Sequence, residues 1–296
     1  MPPDGQILAG ESLLVRYFNF VKLPHTLFAL PFALLGVVAA SFRHPVSGRL
    51  VLLVVVAFSA ARWVAMGFNR IADRRFDAAN PRNRNRELPQ GRLTMAQAST
   101  SVVVAAALFL GASALINPLC GALAPVALAW VLAYSLTKRF IHWPHLWLGL
   151  SLAIAPAGGY IAVTGRWSDP WWLLPVIAVA VGTWVAGFDI LYALPDEELD
   201  RALGLKSAVV RLGVPGSIRL ARVLHAMTVP ALALFGRGAG FGPVYLVGVA
   251  AAAGILMWEH RLVRPDDLSR LDTAFFSMNA VMSVTVFAFA LADRLL

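Results

Sequence analysis

The chain has 296 residues, of which 59% are hydrophobic and only 14% charged, and its mean hydropathy is +0.70. Soluble domains carry about 25% charged residues, so this composition excludes a disordered chain, a soluble cytosolic enzyme and a nucleic-acid-binding domain of ordinary type. The net charge of +9 is assigned to Lys and Arg that flank membrane helices and face anionic lipid, and the single cysteine, Cys120, excludes an intramolecular disulfide.

Residues 1–15 contain Asp4 and Glu11 and lack a basic segment before a short apolar core, so no signal peptide is expected there. A helix needs about 20 apolar residues to cross a bilayer. Nine stretches qualify, centred on 24–42, 49–68, 95–115, 117–136, 144–164, 170–194, 217–236, 241–260 and 273–294. Only Asn117-Pro118 divides the third from the fourth, which predicts a tight helical hairpin. Trp167, Trp171 and Trp172 predict an aromatic belt at the outer face. The glycine-rich run Gly236–Gly242 reads as a flexible outer turn, since a dinucleotide loop needs a strand before it and a helix after it. With the N-terminus cytoplasmic, 19 Lys and Arg fall on the cytoplasmic side and five outside, as the positive-inside rule requires. The expected fold is all-α: a polytopic membrane protein with nine transmembrane helices and a single domain over 1–296. Its long cytoplasmic loops lie at about 69–94 and 195–216.

Charge at a membrane boundary is costly and needs a reason. One acidic cluster leaves the second span, where Asn69, Asp73 and Asp77 stand at i, i+4 and i+8. Each step of four drifts only about 40° around a helix, which predicts one shared face. Arg62, seven residues earlier, falls on that face about 10 Å deeper, and an intramembrane Arg is a functional candidate. The other cluster leaves the sixth span: Asp189, then Asp196 and Asp200 at i, i+4. Pro195 disfavours helix just before it, which separates Asp189 from the pair and puts it in doubt as a direct ligand. Both clusters exit on one side of the membrane, four helices apart, the layout of a parallel repeat. Paired carboxylates suit a hard cation such as Mg²⁺, which bridges one or two carboxylates to phosphate oxygens; two facing pairs would hold a diphosphate. The competing reading is a solvated juxtamembrane helix whose Asp73 and Asp77 pair with Arg70, Arg74 and Arg75. Lys138, Arg139 and Lys206 are candidate diphosphate or acceptor clamps, against simple membrane anchoring. Arg82 and Arg84 read as loop-ordering or lipid-facing, with Arg86 the better site candidate. The Asn83-Arg84-Asn85 stretch has no functional reading, and His25, His145 and His225 show no metal-ligand spacing.

These motifs resemble the UbiA superfamily of intramembrane prenyltransferases, and most closely its 4-hydroxybenzoate polyprenyltransferase branch. The resemblance covers most of the chain: residues 22–34, Arg62, 66–77, Asn80-Pro81-Arg82, 86–91, Tyr134 to Phe140, Gly187 to Leu194 and Gly204 to Ser207. Pro195 departs from the polar residue expected there. The resemblance implies a UbiA-type helical bundle that transfers a polyprenyl group from its diphosphate to a small aromatic acid. The lead acceptor is 4-hydroxybenzoate, and the alternative is 1,4-dihydroxy-6-naphthoate of menaquinone biosynthesis. It implies that Asp73, Asp77, Asp196 and Asp200 bind Mg²⁺ and through it the diphosphate, and that Asn69 orients the site. Arg62, Arg86, Tyr134, Lys138, Arg139, Asp189, Tyr192 and Lys206 are the implied substrate contacts, Lys138 at the diphosphate. The expected partners are the two substrates and membrane lipid, with no nucleic acid. The expected location is the inner membrane, with the Asp motifs cytoplasmic. A membrane transporter, the alternative from another class, would hold its carboxylates near the bilayer midplane rather than at one face.

Overall fold

Long apolar runs without two-residue alternation give helices throughout. A computed structural model describes residues 8–10, 12–271 and 277–296, and of 23–28 the backbone path alone. In chain order the helices are α1 (Leu13–Phe20), α2 (Leu23–Ser41), α3 (Gly48–Ala72), α4 (Arg74–Ala79), α5 (Met95–Ile116), α6 (Pro118–Thr137), α7 (Pro144–Thr164), α8 (Leu173–Tyr192), α9 (Glu197–Ala202), α10 (Ala208–Ala239), α11 (Pro243–Leu262) and α12 (Asn279–Leu295). Seven of them, α3, α5, α6, α7, α8, α10 and α11, are long and apolar enough to cross a membrane. The first and last predicted spans correspond to α2, whose described side chains begin at Ala29, and to α12, before which residues 272–276 lie outside the described residues.

Local chemistry sets the helix ends. Thr94 and Gln97 form a reciprocal capping box at the start of α5. Asn117 makes the predicted hairpin: its side chain accepts from the Cys120 amide at 2.8 Å and donates to the carbonyls of Ile161 and Ala162 at 3.0 and 3.2 Å. One residue thus caps α6 and ties the hairpin to the end of α7. The glycine-rich outer segment is a turn: Gly240, at φ 93°, ends α10, and α11 begins at Pro243. Trp167 and Trp171 are exposed, while Trp172 packs against the core.

α8 is the central helix, flanked by α7 and α10, with Ile177, Ala180, Val181 and Val185 almost wholly buried. α2 packs between α7 and α12, and α3 lies against α5. The α2–α7 contact is a backbone approach: a Cβ on Gly36 would strike the Pro156 carbonyl, and one on Gly159 the Ala33 carbonyl. Small residues at such crossings are how membrane helices gain dispersion contact without a hydrophobic driving force.

Two expectations need correction. Asn69, Asp73 and Asp77 do not lie on one unbroken helix, because α3 ends at Ala72 and Asp73 sits at a bend, φ −94°, before α4. The region 195–216 is not an open loop, because it holds α9 and the start of α10. Gly213, at φ 67°, interrupts α10 just ahead of the predicted seventh span.

Candidate active site

The bend at Asp73 preserves the spacing that the sequence suggested. The Asp73 amide donates to the Asn69 carbonyl at 2.9 Å and the Asp77 amide to the Asp73 carbonyl at 2.8 Å, so the i, i+4 hydrogen bonds run through the junction. Asn69 Nδ2 donates to Asp73 Oδ2 at 2.9 Å. Arg74 and Arg75 are exposed, and the carboxylates draw cations from farther along the chain. Arg86 Nη1 reaches Asp77 Oδ1 at 2.7 Å, and Asn83 Nδ2 donates to the same oxygen at 3.2 Å. Arg139 Nη2 lies 3.8 Å from Asp73 Oδ1.

The second motif is broken where Pro195 predicts. α8 stops at Tyr192, a 3-10 turn spans Leu194–Asp196, and α9 begins at Glu197. The first loop crosses to meet it: Arg82 Nη1 is 3.2 Å from Asp196 Oδ2, and Asn80 Nδ2 donates to Asp196 Oδ1 at 3.3 Å. The Arg82 guanidinium also lies over the Tyr192 ring, 4.7 Å from its centroid. Lys138 Nζ lies 3.5 Å from Asp200 Oδ2.

These groups line one polar cavity of about 150 Å³, which contains Asp73, Asp77, Asp196 and Asp200 together with Lys138, Arg82 and Arg139. A second, largely apolar cavity of about 750 Å³ lies among α2, α3, α5, α6, α7 and α8. Asn69, Arg86, Tyr134, Asp189 and Tyr192 line both, so the two cavities share a wall of five polar residues. Arg62 lines the apolar cavity with Lys22 and Arg70, and its Nε has no hydrogen-bond partner among the described residues.

The electrostatics are those of crowded carboxylates. Burial, and then the neighbouring Asp77, pushes the Asp73 carboxyl up to about 6. Burial likewise raises Asp200, against the pull of Lys138. For Lys138 burial works against the ammonium, but Asp200, Asp196, Asp189 and Asp73 more than offset it and hold the group above its ordinary range. Lys22 falls to about 6, through burial and then the nearby Arg70.

This donor set fits a divalent cation. Asp77 Oδ2 is buried without a hydrogen-bond partner among the described residues, and four carboxylates share one small cavity. Among the described residues no three acidic or imidazole groups close a cage around a point. An ion held here would therefore keep positions for water and phosphate oxygens, the habit of Mg²⁺.

Of the residues the sequence nominates, every one except Arg62 and Lys206 lines the polar cavity, and Arg62 lines the apolar one. Lys206 lines neither. Its Nζ donates to the Phe140 carbonyl at 3.1 Å and its amide to the Lys138 carbonyl at 2.7 Å, so it braces the segment that carries Lys138. Asp189, in doubt from the sequence, stands on the shared wall. Asn80, Arg82, Asn83 and His145 are site residues that the sequence reading missed. Asn80-Pro81-Arg82 was legible within the resemblance, whereas Asn83 joins the site through the turn that returns it to Asp77, six residues back, and His145 through a contact 44 residues away, with Asp189.

Comparison with known proteins agrees with this architecture. The 4-hydroxybenzoate octaprenyltransferase of Alkalilimnicola ehrlichii is 32% identical over 211 residues, 71% of each chain. A solved UbiA homologue from Aeropyrum pernix K1 superposes with a TM-score of 0.84 at 29% identity, over 91% of this chain and 98% of that one. A UbiA homologue from Archaeoglobus fulgidus, solved with GPP and Mg²⁺, has the same fold at a TM-score of 0.74 and 18% identity, over 95% of this chain and 100% of that one. Residues 29–281 match the UbiA prenyltransferase family, and with two Asp motifs meeting at the mouth of an apolar intramembrane cavity, the chain belongs to that family.

Proposed function

We propose that this protein transfers a polyprenyl group from its diphosphate to 4-hydroxybenzoate, with Mg²⁺, in the inner membrane. The observation that carries the proposal is the shared wall: a polar cavity with four carboxylates and several cations adjoins an apolar cavity five times its volume. A prenyl diphosphate has that polarity, a charged head on a long hydrocarbon. The A. ehrlichii relative is named for this reaction, and the A. fulgidus homologue was solved with a prenyl diphosphate and Mg²⁺.

Asp73, Asp77, Asp196 and Asp200 would hold Mg²⁺, which neutralises the diphosphate as it leaves. Arg82, Arg86 and Lys138, now paired with those carboxylates, supply further positive charge to the phosphate oxygens as the allylic C–O bond breaks. Asn69 orients Asp73. The apolar cavity keeps water from the allylic carbon, and the aromatic rings of Trp130, Trp184 and Phe188, which line it, favour developing positive charge. Arg62 pairs with the carboxylate of the acceptor, and Asp189 and Tyr192 stand where the acceptor ring meets the prenyl carbon. The whole chain acts as one transmembrane domain, with the Asp motifs on the cytoplasmic side by the bias of its Lys and Arg.

The test is prenyl transfer in membranes containing the overexpressed protein, supplied with a polyprenyl diphosphate and either 4-hydroxybenzoate or 1,4-dihydroxy-6-naphthoate, with Mg²⁺ or with EDTA. Mg²⁺-dependent product from 4-hydroxybenzoate is expected. Product from the naphthoate alone would reassign the acceptor, and no product from either would overturn the transferase reading.

A further inference from the structure

His145 reaches the site by one contact. It follows Pro144 in the first turn of α7, is 1% exposed, and lines the polar cavity. Its Nδ1 lies 2.7 Å from Asp189 Oδ2, while its Nε2 is buried with no hydrogen-bond partner among the described residues. That asymmetry assigns the tautomer: the ring proton belongs on Nδ1, which has an acceptor, and is donated to Asp189. Asp189 comes from the last turn of α8, and its side chain is only 17% exposed. With Oδ2 fixed by the imidazole, Oδ1 is left for a ligand.

We propose that His145 is a positioning residue for the transfer reaction: through Nδ1–H···Oδ2 it fixes the Asp189 carboxylate on the wall between the two cavities, with Oδ1 presented to the hydroxyl of the aromatic acceptor. The proposal rests on the transferase reading and deepens it, giving Asp189 the acceptor rather than the metal. An imidazole N–H suits that task, because its directional hydrogen bond fixes the orientation of the carboxylate. Without it, Asp189 is free to swing toward the Lys138 ammonium, which already holds Asp200 at 3.5 Å.

The test is a kinetic comparison of wild type, His145→Leu, His145→Asn, Asp189→Asn and the His145→Leu/Asp189→Asn double variant, with each substrate varied in turn. Leu keeps the bulk and removes the donor; Asn places an amide N–H at the position of Nδ1. A hydrogen bond to a charged group carries enough free energy that His145→Leu is expected to lower kcat/KM for the acceptor about tenfold or more. The KM for prenyl diphosphate is expected to change less than about twofold, and His145→Asn to recover most of the loss. In the Asp189→Asn background His145→Leu is expected to add less than about twofold, because the two residues act as one unit. Multiplying losses, a matching rise in the prenyl diphosphate KM, or an Asn variant no better than Leu would overturn the proposal. If His145→Leu does not fold, the comparison of His145→Asn with His145→Gln, whose amide sits one bond too far, decides the same point. A wild type that makes no product with either acceptor would remove the transferase reading instead. Equilibrium binding of labelled 4-hydroxybenzoate to the same variants then reads the His145–Asp189 coupling by itself, and unchanged binding overturns it.

Discussion

Asp196 shows how the site is wired at the scale of single residues: its two oxygens are taken by Asn80 and Arg82, residues of the other motif's loop more than a hundred positions away. Each carboxylate is matched by its own cation, Asp73 by Arg139, Asp77 by Arg86, Asp196 by Arg82 and Asp200 by Lys138, so removing one Asp leaves a cation unmatched as well as removing a proposed ligand. Asp73→Ala or Asp196→Ala is expected to lower transfer by at least about a thousandfold, the scale of losing a principal electrostatic element of a site. Both variants should still be recovered folded from membranes, as judged by monodisperse elution in detergent. Asp73 also sets a pH limit. Its carboxyl is raised to about 6, by burial first and by Asp77 second, so it is ionised above that pH and protonated below it. A divalent ion requires the ionised form. Mn²⁺ affinity, followed by electron paramagnetic resonance between pH 5 and 8, is therefore expected to be level above pH 7 and to fall up to about tenfold per unit below 6. Affinity that stays constant down to pH 5 would remove Asp73 from the ligand set.

Among the helices, packing constrains α2 and α7 most tightly. A side chain at Gly36 would drive into the Pro156 carbonyl, and Gly36→Leu is expected to destabilise the fold by about 1–3 kcal/mol as an overpacked contact. Gly111, mid-way along α5, has open space around the site of a Cβ, so Gly111→Ala is expected to stabilise by about 0.5–1 kcal/mol. Thermal unfolding in detergent ranks the two, and the reverse order would contradict the packing described here. Sequence alone made the helices legible because hydrophobic length is a strong signal in a membrane protein. The stop at Tyr192 was legible from Pro195. The bend at Asp73 was not, since it arises where α3 gives way to α4 with neither Pro nor Gly to mark it. The motif aspartates could be read from their spacing. Arg82 at Asp196 and His145 at Asp189 could not, because those pairings join segments 114 and 44 residues apart and local periodicity carries no trace of them; Asn83 at Asp77 is only six residues away, but it is made by the irregular turn after α4 rather than by a helical repeat.

Across the whole molecule, the bundle divides its interior into a small charged chamber and a large apolar one, and a substrate with a charged head and a hydrocarbon tail would bridge them. The chamber lies where the second and sixth predicted spans end, on the side to which the sequence assigns 19 of its 25 Lys and Arg. On the proposed function, both Asp motifs serve one metal–diphosphate site. The most direct test is equilibrium binding of a non-reactive prenyl thiolodiphosphate to the purified protein, with and without Mg²⁺, in wild type, Asp73→Ala and Asp196→Ala. Mg²⁺-dependent binding is expected in wild type, weakened at least about tenfold in each variant, because on the proposed function each motif supplies ligands to the same ion-bridged headgroup. Binding that ignores Mg²⁺, or that survives unchanged in either variant, would contradict it.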